Sequence, residues 1–356
     1  MIRQIDDAAP ETRAQFDEII DVRSPGEFAL DHVPGAINLP VLDDAQRAEI
    51  GTIYVQGSKF VARRLGAAHV SRNIAEHLSG ALADRTGSYA PLIYCWRGGQ
   101  RSNAMATVLD QVGWRVTLLN GGYRTYRRRV TASLYDADLP WRLVLLDGGT
   151  GCGKTEMLAL LAARGVQTLD LEDLAEHRGS LFGARPGQAQ PSQKLFESRV
   201  LAVLETFDPA LPVLVEAESS KVGDLYLPPA LWAAMTGAPR IVLSAPPGAR
   251  AAYLVQANPD LVADPGAVQA ALSRLPPHHS REQIEAWRAQ AHAGEYAALA
   301  AGLIEAHYDP AYARGSASSS QSLLGVVDLQ NLAPAALDRA ADHAVALIAE
   351  IARLEG

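Results

Sequence analysis

The sequence predicts an α/β protein with more than one parallel-sheet domain, and three observations carry that expectation. Short apolar, β-branched runs alternate with helix-length segments, as strands joined by crossover helices require. Two of these runs, PLIYC and LVLLD, pass directly into glycine-containing loops that are followed by helical patterns. At 356 residues the chain also exceeds what one hydrophobic core usually serves, so two domains are expected.

In chain order, FDEIIDVRS, PLIYC and TLLNGGY read as strands, with NAMATVLDQVG as a helix between the last two. After LYDADLP the pattern restarts at WRLVLLDGGTGCGKTEMLALLAARG, a strand, a glycine loop and a helix closed by Gly165. This places the boundary within 131–140 and gives domains of 1–135 and 136–356. VQTLDLE, PVLVEAE and RIVLSAP are the next strands, and an alanine-rich helical region follows. The serine-rich run GSASSSQS, 315–322, is expected to be a mobile loop.

Composition excludes several classes. Hydrophobic residues make up 48% and charged residues 20%, as in ordinary globular chains, and no apolar run approaches the roughly 18 residues of a membrane span. The first twenty residues lack the pattern of a secretory leader, so a cytoplasmic protein without membrane association is expected. Its two cysteines, Cys95 and Cys152, fall in different domains, which argues against a structural disulfide. The net charge of −8 arises after residue 138, where 16 basic residues face 24 acidic ones against 16 and 16 before it. An acidic chain needs a local basic face to hold nucleic acid. GGYRTYRRR offers one, with Arg124, Arg127, Arg128 and Arg129 interleaved with Tyr123 and Tyr126, although a solvated helix reads the same way.

The stretch YCWRGGQRS sets Cys95 at a strand end, before a loop whose N–H groups and following helix converge on one point. Lowering a thiol pKa of about 8.5 by roughly two units makes thiolate the majority form at neutral pH. Arg97 and Arg101 would add to that shift if they face inward, with Trp96, Gly98, Gly99, Gln100 and Ser102 completing the cradle. Three readings of Cys95 remain open on these residues: a buried structural cysteine, the nucleophile of a C-x5-R phosphatase, and a carrier of sulfur or selenium.

GGTGCGKT, 148–155, satisfies the G-x4-G-K-T phosphate-loop pattern between an apolar strand and a helix. Gly148, Gly149, Thr150, Gly151, Cys152 and Gly153 would wrap a phosphate, Lys154 neutralise it, and Thr155 serve as a Mg²⁺ ligand. Glu216, or Glu218 as the alternative, is the candidate acid at a later strand end. Cys152 is read as shaping the loop backbone. Arg250 is either a lid over the phosphates or an ordinary surface arginine. No N-K-x-D guanine motif occurs, and the adjacent His278 and His279 lack partners at metal-ligand spacing.

DVRSPGEFALDHVPGAINLP, 21–40, together with CWRGGQRS and NGGYR, resembles the rhodanese domain over most of residues 5–135. That resemblance implies Asp21, Arg23, His32 and Gly35 as framework, and a sulfur-carrying Cys95 in a loop longer than the usual one. The fold class expected is therefore a rhodanese-like α/β domain followed by a P-loop NTPase-like parallel-sheet domain with a helical C-terminal region.

With LDLEDLAEHRGSLFG, PSQKLFE, VEAESSKVG and HYDPAY added, nearly the whole chain resembles the tRNA 2-selenouridine synthase family. The resemblance implies transfer of a geranyl group from geranyl diphosphate to the sulfur of wobble 2-thiouridine, then replacement by selenium from selenophosphate. Cys95 would carry selenium, as a selenylsulfide-type intermediate or otherwise, and Arg97 and Arg101 would cradle the anionic donor. The phosphate loop would take geranyl diphosphate with Mg²⁺, although ATP or another nucleotide suits it as well. Partners implied are tRNA at its anticodon wobble position and a selenophosphate-producing enzyme. Tyr123, Tyr126 or Trp96 would stack on the base, and His177 and Arg178 would join the tRNA surface or the phosphate site. The alternatives are a persulfide-relaying sulfurtransferase with an ATP-hydrolysing P-loop domain and a non-enzymatic RNA-binding regulator that uses nucleotide as a switch, with Cys95 as a redox sensor.

Overall fold

The computed structural model describes residues 2–185, 187–275, 279–317 and 321–354. The chain divides into two compact units, residues 1–136 with 192–205, and residues 137–191 with 206–356.

The first unit is built on five parallel strands: β1 (Arg3–Ile5), β2 (Glu18–Asp21), β3 (Ala36–Asn38), β4 (Pro91–Tyr94) and β5 (Thr117–Leu119), in the order β1-β5-β4-β2-β3. β4 is buried along its whole length, as a central parallel strand read from PLIY must be. Its C-terminal end delivers the chain into the Cys95 loop and then the Gln100–Val112 helix. Arg23 and Asp21, both essentially inaccessible, form a buried ion pair, and Arg23 also donates to the Asp31 carbonyl and lies over the Tyr123 ring. His32 stacks on Phe28. These residues hold the framework around the loop.

The Gln193–Leu204 helix belongs to this first unit, whereas the sequence reading places it in the second domain. The helix buries Phe196, Val200, Leu201 and Leu204 and adds ion pairs. Glu197 on this helix is buried and accepts from Arg127 and Tyr135, and Glu205 just beyond it accepts from Arg13 and Arg129.

The second unit holds β6 (Leu143–Gly148), β7 (Gln167–Leu169), β8 (Val213–Glu216), the hairpin strands β9 (Lys221–Val222) and β10 (Leu225–Tyr226), then β11 (Arg240–Ser244) and β12 (Leu323–Asp328). Five of them make a parallel sheet in the order β12-β11-β6-β8-β7. β6 is central, and its outgoing end lies between β8 and β11, the crevice where open α/β sheets bind ligands. Helices follow from Pro247 onward, one of them closing with a π-turn at Ile304–Tyr308.

Of the serine-rich run, residues 315–317 end the Asp309–Ala317 helix and 321–322 lead into β12, so the expected loop is shorter; residues 318–320, like His278, lie outside the described residues. No described helix is long and apolar enough to cross a membrane.

Candidate functional site

In the first unit the β4 end carries the Cys95 loop. Cys95 is 3% exposed, so its thiol sits at the bottom of the loop, with the core of the unit beneath it. Its Sγ nevertheless accepts from the Gly99 N–H and the Ser102 hydroxyl, both at 3.2 Å. The loop closes tightly because Gly122, at φ +59, passes the Cys95 carbonyl where any Cβ would overlap it. Tyr123 N–H donates to that same carbonyl at 2.8 Å.

Arg97 and Gln100 are exposed on the loop, and Gly98 carries the positive φ that turns it. Arg101 points its guanidinium to Glu27, with contacts at 2.6 and 3.3 Å, so it braces the Pro25–Leu30 helix and is not spare for a donor anion. Burial tends to raise the Glu27 carboxyl, but Arg101 outweighs it and the net shift is downward.

Beside this loop lies a groove lined by Trp96, Arg124, Arg128 and Lys194, with Tyr123 and Arg127 behind them. The expected aromatic face is narrower than the sequence implies. Tyr123 and Tyr126 are 2% and 1% exposed, because their positions fall on the inward stripe of the Tyr123–Leu134 helix, and neither can receive a base. Trp96 is half-buried and stacks on Tyr123. Likewise Arg127 and Arg129 are bound to Glu197 and Glu205, while Arg124 and Arg128 are exposed.

In the second unit the β6 end carries the glycine loop 148–155. Gly148–Gly153 wrap the end of β6, and Lys154 opens the Lys154–Ala162 helix, with its Nζ on the Gly148 carbonyl at 3.0 Å. Thr155 is exposed at the first turn. Cys152 is buried, its thiol pushed up by desolvation, which leaves it an inert packing group in the loop. Arg250 is neither a lid nor a surface residue. It is 5% exposed, donates through Nε to the Thr150 carbonyl, and pairs with both oxygens of Asp309 at 2.8 and 3.0 Å. It therefore braces the loop from behind.

Acidic groups gather opposite Lys154. Glu216, at the end of β8, is fully buried; one oxygen accepts from the Glu172 N–H at 2.5 Å and the other has no hydrogen-bond partner. Glu218 joins it, and so does Glu172, a residue the sequence reading missed; ligand oxygens of all three lie within 4.8 Å of one another. Burial first, and mutual repulsion second, push the Glu172 carboxyl up to about 8 and raise Glu216 well above its ordinary value. For Glu218 burial also wins, against the pull of Lys154. An unsatisfied buried carboxylate oxygen amid three acids and a phosphate loop fits a divalent cation.

A cavity of about 590 Å³ opens from this loop. Lys154, Thr155, Glu172 and Glu218 line it together with apolar Phe182, Leu254, Leu261, Val268, Leu299 and Leu303, and further polar groups, Asp173, Arg185 and Asn258 among them, share the wall. His177 and Arg178 line this cavity. His177 pairs in a β-bridge with Ala184, accepts from the Gly179 N–H, and is held below its ordinary pKa by burial. Arg178 pairs with Asp260 at 2.8 Å.

Comparison with known proteins agrees with this two-part build. Residues 4–129 match the rhodanese-like domain, and residues 141–264 match the tRNA 2-selenouridine synthase AAA domain. Proteins named tRNA 2-selenouridine synthase are similar over much of the chain. The one from Psychromonas ingrahamii is 34% identical over 229 residues, 64% of this chain and 61% of its own. The one from Chromohalobacter salexigens is 36% identical over 239 residues, 67% of this chain and 64% of its own. The chain thus spans about three fifths of the length of these relatives. Among solved structures, a rhodanese-related protein from Thermoplasma volcanium is 17% identical, with TM-score 0.24, over 36% of this chain and 92% of that one.

Proposed function

We propose that this rhodanese-like domain and its P-loop partner domain together make a tRNA 2-selenouridine synthase. In the first step the C1–O bond of geranyl diphosphate breaks, a C–S bond forms to the thiocarbonyl sulfur of wobble 2-thiouridine, and pyrophosphate leaves. In the second, the selenium of selenophosphate adds to C2 of the ring, the C2–S bond breaks and the geranyl thiol departs with the donor's proton, and water then cleaves the P–Se bond, releasing phosphate and leaving 2-selenouridine. The order is chemically reasonable, since an S-alkylated carbon loses a thiol more readily than a bare thione loses sulfide.

The observation that carries the reading is the cavity of the second unit, a phosphate loop continuous with an apolar wall. A prenyl diphosphate needs phosphate donors and apolar surface in one recess. Loop N–H groups and Lys154 receive the departing pyrophosphate. Thr155, Glu172, Glu216 and Glu218 are the residues that would hold Mg²⁺, which supplies positive charge to that leaving group. Cys95, with its two donors, serves the selenium step, and Arg97 is the exposed cation beside it. Arg124 and Arg128 offer phosphate contacts to the anticodon region and Trp96 an aromatic ring. The names of the relatives support tRNA and selenium as the substrates. Selenophosphate then has to come from a separate synthesising enzyme, and a reaction on tRNA belongs in the cytoplasm.

Calorimetric titration separates this function from the sulfurtransferase alternative. Geranyl diphosphate is expected to bind at least about tenfold more tightly than ATP, and more tightly with Mg²⁺ than without. Preference for ATP, with steady ATP turnover in the absence of RNA, would favour the persulfide-relaying sulfurtransferase instead.

A further inference from the structure

The cavity of the second unit has two ends of different construction. Near the phosphate loop, Tyr253 packs against the core of the sheet, and Leu254 sits where a Cβ on Gly151 would meet it at 2.9 Å. Away from the loop, Phe182, Val268, Leu299 and Leu303 belong both to the cavity wall and to a separate apolar cluster centred on Leu272 and Trp287. Val268, Leu299 and Leu303 are each 4% exposed, so this end is a floor of packed side chains.

Helix geometry explains how the floor is made. Leu299 and Leu303 are four apart on the Tyr296–Leu303 helix and share a face. The π-turn Ile304–Tyr308 adds one residue per turn, so Tyr308, five beyond Leu303, also lines the cavity, and Tyr312 follows four later. Spacings of four, five and four keep a single stripe on the cavity, where an unbroken α-helix would rotate the last two away. Directly after the π-turn, Asp309 ties this helix through Arg250 to the Thr150 carbonyl, which fixes the floor relative to the phosphate loop.

We propose that Leu299, Leu303 and Phe182 determine the length of prenyl chain accepted, by limiting how far the tail extends once its diphosphate is held at Lys154. This inference rests on the prenyl diphosphate reading of the cavity. An alkyl chain too long for this apolar floor must leave methylenes in water or displace packed side chains, and each misplaced methylene discriminates by roughly tenfold or more.

The test compares dimethylallyl, geranyl and farnesyl diphosphates as donors to 2-thiouridine tRNA. In each reaction the donor C1–O bond breaks, a C–S bond forms, pyrophosphate leaves and the ring N3 proton passes to solvent. Leu303→Ala is expected to raise the farnesyl-to-geranyl ratio of kcat/KM by about tenfold, and Leu299→Phe to raise the dimethylallyl-to-geranyl ratio by a similar factor. Phe182→Leu, at a half-buried position, opens the same space with less disturbance of the core and should move the ratio in the direction of Leu303→Ala. Affinity for inorganic pyrophosphate should stay at the wild-type value in all three. Alkylation with unchanged ratios in folded variants would overturn this inference alone. A wild-type protein that alkylates with none of the three donors would overturn the proposed function and this inference with it.

Discussion

Glu172, Glu216 and Glu218 concentrate three carboxyls in a space that apolar surroundings and their own repulsion make hostile to charge. The consequence is a measurable pH dependence. The folded protein keeps the Glu172 proton up to about pH 8, whereas an exposed carboxyl releases it near 4.5. Between those values the folded state binds more protons than the unfolded one, so this group's contribution to stability falls as pH rises through the window. A divalent cation competes with those protons and reverses the loss. Melting curves should therefore show a Mg²⁺-induced rise in Tm that is larger at about pH 8.5 than at about pH 6, and Glu216→Gln should remove most of the difference. An equal shift at both pH values would separate the cluster from the cation. The sequence revealed only part of this site: VLVEAE announces a buried strand ending in acids, but Glu172 stands on a four-residue helix, Leu171–Leu174, whose approach to Glu216 is tertiary.

Among the elements, the Tyr123–Leu134 helix shows how one arginine-rich segment divides its labour. Its inward stripe buries Tyr123, Tyr126, Val130 and Leu134, and its flank sends Arg127 and Arg129 to the acids at and beyond the Gln193–Leu204 helix. Only the face bearing Arg124 and Arg128 is exposed. Replacing Arg124 and Arg128 by alanine should lower the slope of log K against log salt for tRNA binding by about two phosphate contacts while leaving the fold intact. Arg127→Ala should instead destabilise the first unit by about 3–5 kcal/mol, because Glu197 is left buried without its cation. Denaturant unfolding and filter binding at several salt concentrations read the two effects separately; loss of stability in the double variant, or an unchanged salt slope, would reject this division. Periodicity alone foretold a helix here. Which arginines are bound in ion pairs depends on a partner segment 70 to 76 residues further along, whose pattern is compatible with either core.

For the whole molecule, the parallel sheets, the phosphate loop and the sulfur loop were legible because each is written in consecutive residues: β-branched runs, glycine spacing, and a strand that ends in cysteine. The assignment of the Gln193–Leu204 helix, the role of Arg250 and the apolar floor were not, since each depends on residues brought together only by the fold. What emerges is a chain with a hydrogen-bonded cysteine sulfur in one unit and a cavity opening from a glycine loop in the other. The central claim is that these two sites carry consecutive steps on one nucleobase. It is tested most directly by weighing the wobble nucleoside after the protein has acted on 2-thiouridine tRNA with geranyl diphosphate and selenophosphate. Wild type should yield 2-selenouridine, and Cys95→Ala should stop at the S-geranylated nucleoside; unchanged 2-thiouridine with the wild-type protein would contradict the account.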